Sequence, residues 1–178
     1  MERRSAPGLA DGDVPAGERG DPASRLERAR ALAWRALNRR DRTEHELRTI
    51  LAEKRVAPEE AQVVVGELLE GGFVDDAAYA QRFADDRRRL DAWGAERIAQ
   101  RLRRLGVAPE HVAAALGEQD REGELEAAIA LLRRRVPVVP ATPRDRDRAL
   151  GMLVRKGYGL ELAHDALRRY AGVDEPFD

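Results

Sequence analysis

The segment Val56-Ala-Pro-Glu-Glu60 recurs 51 residues later as Val107-Ala-Pro-Glu-His111, and this fixed offset constrains the fold more than any other feature of the chain. The apolar positions around it keep step. Leu47, Leu51 and Val65 map onto Ile98, Leu102 and Leu116, and a further 51 residues reaches Ala149, Leu153 and Leu167, while Gly106 maps onto Gly157. A chain rich in Arg, Ala and Leu aligns with itself easily, but a match of four residues in five, with the surrounding apolar positions held at the same offset over two steps, is a repeat. Stacked units that each leave an apolar face for the next produce such a period.

Each unit reads as three helices. From Leu26 onward apolar residues recur at three- and four-residue spacings and β-branched runs are scarce. In the first unit a helix runs from Leu26 to about Arg39, Thr43 and Glu46 have capping-box spacing for a second, and Pro58 opens a third. In the second unit Asp75 caps the first helix, Gly94 precedes the second and Pro109 starts the third. In the last unit a helix over roughly 123–135 is followed by a longer connector, Thr142-Pro143 opens the middle helix, and Gly157 to Gly159 separates it from the final one. Val136 to Val139 is the one strand-like run, and Pro137 and Pro140 make it a linker. The expected fold is therefore all-α: an elongated, curved array of three tandem three-helix repeats at 26–73, 74–119 and 120–172. Residues 1–25 hold 4 of the 15 Gly and 3 of the 9 Pro without apolar periodicity, which predicts a disordered leader, and 173–178 form an acidic tail.

The residue inventory offers little to catalysis. Without Cys there is no thiolate nucleophile, no cysteine metal site and no disulfide, which points to a reducing, cytoplasmic setting. Ala6-Pro-Gly-Leu-Ala-Asp-Gly-Asp13 stands where a signal peptide needs an apolar stretch, and no apolar run approaches the ~20 residues that span a bilayer. Both serines, Ser5 and Ser24, lie in the leader, and no phosphate-binding GxxxxGK loop exists. His45, His111 and His164 lack metal-ligand spacing and read as solvated or capping residues on equivalent faces of different units. The pairs Asp75-Asp76 and Asp85-Asp86 suit the first turn or flank of a helix. No catalytic residue, metal or cofactor is expected.

Charge is balanced overall but segregated along the chain. The 32 basic and 33 acidic residues nearly cancel, whereas a protein that simply coats DNA is usually much more basic. Residues 82–104 contain eight Arg against four acids, and residues 59–76 hold six acids and no base. On the middle helix of the second unit Ile98, Leu102 and Leu105 form the buried stripe, while Arg97, Arg101 and Arg104 share an outward one, with Arg87, Arg88 and Arg89 ending the preceding helix nearby. A second basic group comprises Arg133 to Arg135 with Arg144, Arg146 and Arg148. Such faces are either solvated surface or a docking site, and we take Arg87, Arg88, Arg89, Arg97, Arg101, Arg104, Arg144 and Arg148 as the candidate contact residues. Thirty of the 32 basic residues are Arg, which fits either GC-rich coding or bidentate recognition of oxyanions. Aromatic residues, at 4%, are too few for a dedicated single-strand stacking platform. Trp34, Tyr79, Phe83 and Trp93 read as core anchors, with Trp93 the one expected to be exposed.

Two stretches resemble a known family. Leu37-Asn-Arg-Arg-Asp-Arg-Thr-Glu-His-Glu-Leu47 with Leu51, and Leu68-Leu-Glu-Gly-Gly-Phe-Val-Asp-Asp-Ala-Ala-Tyr-Ala80 with Phe83, followed by Gly94-Ala-Glu-Arg-Ile98, resemble the RecX regulatory proteins over residues 26 to 170. The resemblance implies a modulator of the RecA recombinase that lies in the groove of the RecA filament on single-stranded DNA and limits filament growth, ATP turnover, strand exchange and SOS-repressor cleavage. It implies a monomer whose partner is that filament, with single-stranded DNA inside the complex as a further contact, and Asp75, Asp76, Tyr79 and Phe83 carry over as fold markers only. The alternative is a direct DNA-binding regulator, since short three-helix units can present a helix-turn-helix.

Overall fold

The computed structural model describes residues 21–117 and 120–172, which form nine α-helices and no strand. They are α1 Pro22–Leu37, α2 Glu44–Glu53, α3 Pro58–Glu70, α4 Asp76–Asp91, α5 Ala95–Arg104, α6 Pro109–Gly117, α7 Arg121–Arg135, α8 Pro143–Lys156 and α9 Leu160–Ala171. Three successive triplets each close on a core of their own, with the first helix of each lying against the third. The repeat positions sit where the period requires. Leu47, Leu51, Val65, Ile98, Leu102, Ala149, Leu153 and Leu167 are buried, and Leu116 packs against its core from the edge.

The first helix begins at Pro22, four residues ahead of the expected Leu26, so residues 22–25 are not leader. A proline at the opening position of a helix was the available signal, and Arg25 there bonds Glu60 of α3 at 2.6 Å. The rest of the expected leader, residues 1–20, and the acidic tail 173–178 lie outside the described residues.

The middle helices α2, α5 and α8 end alike. The residues at 55, 106 and 157 are all left-handed, with φ of 58°, 79° and 93°, and the amides of Val56, Val107 and Tyr158 donate back to Leu51, Leu102 and Leu153. This is a Schellman closure, and the residue after the left-handed position is buried each time. The same ends build the joints between units. A Cβ on Gly106 would lie 2.2 Å from His45 Cβ at the start of α2, and one on Gly157 would lie 2.3 Å from Arg97 Cβ at the start of α5. The carbonyl of Leu105 accepts the Thr43 hydroxyl at 2.6 Å, and that of Lys156, 51 residues on, accepts the Gly94 amide at 2.9 Å. Asp76 of α4 accepts the Glu44 amide at 2.9 Å, and Glu124 of α7 accepts the Ala95 amide at 2.8 Å. α2 and α5 thus each receive N-terminal partners from the next unit, while α8 is capped by its own Thr142, and the three stand head to tail with their dipoles in series.

Position 55 ends the first middle helix, with no preceding unit among the described residues for it to meet, and it holds Arg rather than Gly. Replacing Arg55 by Gly removes a left-handed side chain at some cost in unfolded-chain entropy, so a stabilisation of about 0.5 kcal/mol is expected in urea unfolding. Thr43 carries more. It is the one fully buried polar residue among those described, its Oγ1 accepts the Glu46 amide at 3.2 Å in a complete capping box, and it donates to Leu105 across the joint. Thr43→Val keeps the shape and deletes both bonds, and a loss of about 2–3 kcal/mol, read from the urea midpoint, is expected.

Candidate functional site

The central unit, with its joint to the third and Arg40 of the first, lines an open cleft of about 1150 Å³. Seven arginines line it: Arg40 from the connector before α2, Arg87 from α4, Arg97, Arg101, Arg103 and Arg104 from α5, and Arg155 from α8, against the single acid Glu96. The head-to-tail joint creates this arrangement, because it brings the last turn of α8 against the first turn of α5.

An aromatic bed supports the arginines. α4 closes on Ala92 in the left-handed region (φ 50°), which turns Trp93 back toward Phe83 with centroids 6.3 Å apart, and Tyr79 stacks on Phe83 at 6.2 Å. The Arg97 guanidinium lies 4.2 Å from the Trp93 centroid and donates to the Arg155 carbonyl at 3.0 Å. Arg87 lies 5.5 Å from Phe83 and 5.8 Å from Trp93, and bonds Asp91 at 2.6 Å. Guanidinium groups therefore face the rings, and the bed preorganises two forks instead of offering bare faces on which bases stack. Arg101, Arg103, Arg104 and Arg155 make no ion pair among the described residues. Burial pushes the Tyr79 hydroxyl above its ordinary pKa, so at neutral pH it stays an un-ionised phenol beside these cations.

The structure sorts the eight arginines expected from sequence. Arg87, Arg97, Arg101 and Arg104 converge on the cleft. Arg88 does not: its side chain turns inward to donate to the carbonyls of Ala115 and Leu116 in the last turn of α6. Arg89 is outside the cleft lining and pairs with Asp86 at 3.1 Å. Arg144 and Arg148 stand at the exposed start of α8, while the cleft meets only that helix's last turn. Sequence reasoning missed Arg40, Arg103 and Arg155, which reach the cleft from three elements; Arg103 and Arg155 had only membership of a basic helix end as a signal, and Arg40, in a connector, had none. The tryptophans are also reversed from expectation: Trp34 is exposed, and Trp93 is half-buried beneath Arg97.

His45 and His111, from the first and second units, both line a smaller pocket at the first joint, together with Asp75 and Asp76. Burial raises the Asp76 carboxyl above the usual aspartate range, an effect that its bond from the Glu44 amide partly offsets. Among the described residues no group of three or more His, Asp or Glu could hold a metal ion, and no helix is long and apolar enough to cross a membrane.

The unit architecture is matched by family models. Residues 29–68 match "RecX, first three-helix domain" and residues 75–116 match "RecX, second three-helix domain". A regulatory protein RecX of Amycolatopsis mediterranei is 33% identical over 149 residues, covering 83% of this chain and 85% of its own length. The chain belongs to the RecX family. A regulatory protein RecX of Deinococcus radiodurans is 33% identical over 177 residues, 98% of this chain and 84% of that protein. The crystal structure of RecX from Lactobacillus salivarius superposes with a TM-score of 0.76 at 16% identity, covering 85% of this chain and 99% of that one. This RecX-family chain thus shares its helical repeat fold with a solved structure, and its relatives are regulatory proteins by name.

Proposed function

We propose that the protein is a non-catalytic cytoplasmic inhibitor of the RecA filament on single-stranded DNA, acting as a monomer and contacting the filament through the arginine cleft of the second and third units. It would restrain filament growth and, with it, ATP turnover, strand exchange and co-protease activity in recombination, repair and the SOS response. The observation that carries the reading is the convergence of Arg87, Arg97, Arg101 and Arg104 with Arg40, Arg103 and Arg155 on one face of a RecX-family array. Four of these have no ion pair among the described residues and are free to engage carboxylates of a protein or phosphates of the strand inside the filament.

A titration into RecA with single-stranded DNA and ATP tests this. Half-inhibition of the ATPase is expected well below one molecule per RecA monomer, since one array blocking growth affects many subunits. An unchanged rate at equimolar protein contradicts the proposal. The second reading, a direct DNA-binding regulator, draws on the same cleft and requires a steep salt dependence of binding to DNA alone.

A further inference from the structure

The first unit carries an apolar and acidic surface that the basic cleft does not account for. Trp34 of α1 and Phe73, just past α3, meet edge to face with centroids 4.7 Å apart and planes at 75°, and remain 39% and 59% exposed. The turn that presents Phe73 is a further Schellman closure: Gly72 has φ 69°, and the Gly72 and Phe73 amides donate to Leu69 and Leu68. At the other three such closures whose following residue is described, that residue is buried, at 8% for Val56, 4% for Val107 and 1% for Tyr158. Phe73 alone of the four is turned outward, so closing the helix does not require the ring. Gly71 keeps room for that pose, since a Cβ there would lie 2.8 Å from the Phe73 ring.

The surroundings give the partner a sign. Residues 59–76 carry six acids and no base. The bases that reach α3 from α1 are taken, Arg25 by Glu60 and Arg30 by Glu67 and Glu27. Glu59 and Glu70 make no ion pair among the described residues and are exposed. Arg35, next to Trp34, points about 100° round the helix from it.

We propose that Trp34 and Phe73, with the unpaired Glu70 three residues before Phe73, dock a Lys- or Arg-rich segment of the protein partner that carries one large apolar side chain. An exposed aromatic pair supplies contact area at low conformational cost, and the carboxylates select against nucleic acid and acidic peptides. With the cleft, the array then has two docking surfaces of opposite charge on different units. The identity of the partner rests on the filament reading above.

The test uses the full chain with a photo-cross-linking p-benzoylphenylalanine in place of Phe73, and in a second protein in place of Arg101, mixed with RecA filaments on poly(dT) with ATP. Irradiation at position 73 is expected to join the protein to a basic segment of RecA, located by mass spectrometry. Phe73→Ser and, as a change with no bearing on packing, Glu70→Lys are each expected to raise the concentration for half-inhibition of the ATPase about ten-fold. If wild-type protein inhibits and the protein substituted at 101 cross-links, but the one substituted at 73 reaches only DNA, an acidic segment or nothing, and both variants inhibit like wild type, the docking surface is wrong while the filament reading stands. If wild-type protein does not inhibit and neither substituted protein cross-links, both fall together.

Discussion

Replacing Gly157 by Ala is expected to cost about 4 kcal/mol of stability and roughly 10 °C of melting temperature. The left-handed backbone at φ 93° accounts for about 1–2 kcal/mol once a Cβ is present. The rest comes from the joint. The new methyl would lie 2.3 Å from Arg97 Cβ and 2.6 Å from its backbone nitrogen, a contact that no side-chain rotation relieves, so α8 must move away from α5. That movement breaks the bonds from Gly94 to Lys156 and from Glu96 to Gly157, at 2.9 and 3.0 Å, each worth about 1 kcal/mol. Gly72→Ala is the control, because Gly72 shares the left-handed conformation (φ 69°) and a Cβ added there meets nothing within 4 Å. Calorimetry should show the two alanine variants far apart. Equal melting temperatures would mean that the joint is not tight.

The second large effect is on binding. Arg101→Glu combined with Arg104→Glu is expected to raise the concentration for half-inhibition of RecA about 100-fold, or about 2.7 kcal/mol, with the melting temperature moving by less than about 2 °C. Both side chains are exposed, line the cleft and lack an ion pair, so nothing in the fold leans on their charge. Arg97 behaves differently. It covers Trp93 and bonds the Arg155 carbonyl, so Arg97→Glu should lower stability as well as binding. Inhibition by the double variant at wild-type strength would move the interface elsewhere.

The repeat made most of the architecture legible. One offset predicts that 47, 98 and 149 are equivalent, and all three are buried. Local signals located the capping box at Thr43 and the helix starts at Pro58, Pro109 and Pro143, because caps and opening prolines act within one turn. The same offset held the joints in plain view, since Gly106 and Gly157 repeat while position 55 does not, but that a Gly meets the preceding unit is a long-range fact. The site was half legible for the same reason. Periodicity found Arg97, Arg101 and Arg104 on one helix face. It could not find Arg40 and Arg155, which join them only when units stack, nor that Arg88 turns inward to the last turn of α6. Composition understated the aromatics: only 4% of the chain, yet Tyr79, Phe83 and Trp93 gather in one cleft.

The most direct measurement is co-sedimentation with RecA filaments on single-stranded DNA, run beside the same DNA without RecA, for the wild type and the Arg101→Glu, Arg104→Glu variant. Wild-type protein should pellet with the filament and stay in the supernatant with DNA alone, and the variant should stay in the supernatant in both. Equal pelleting with bare DNA, or a variant that follows the filament like wild type, would contradict a cleft built to dock on the filament.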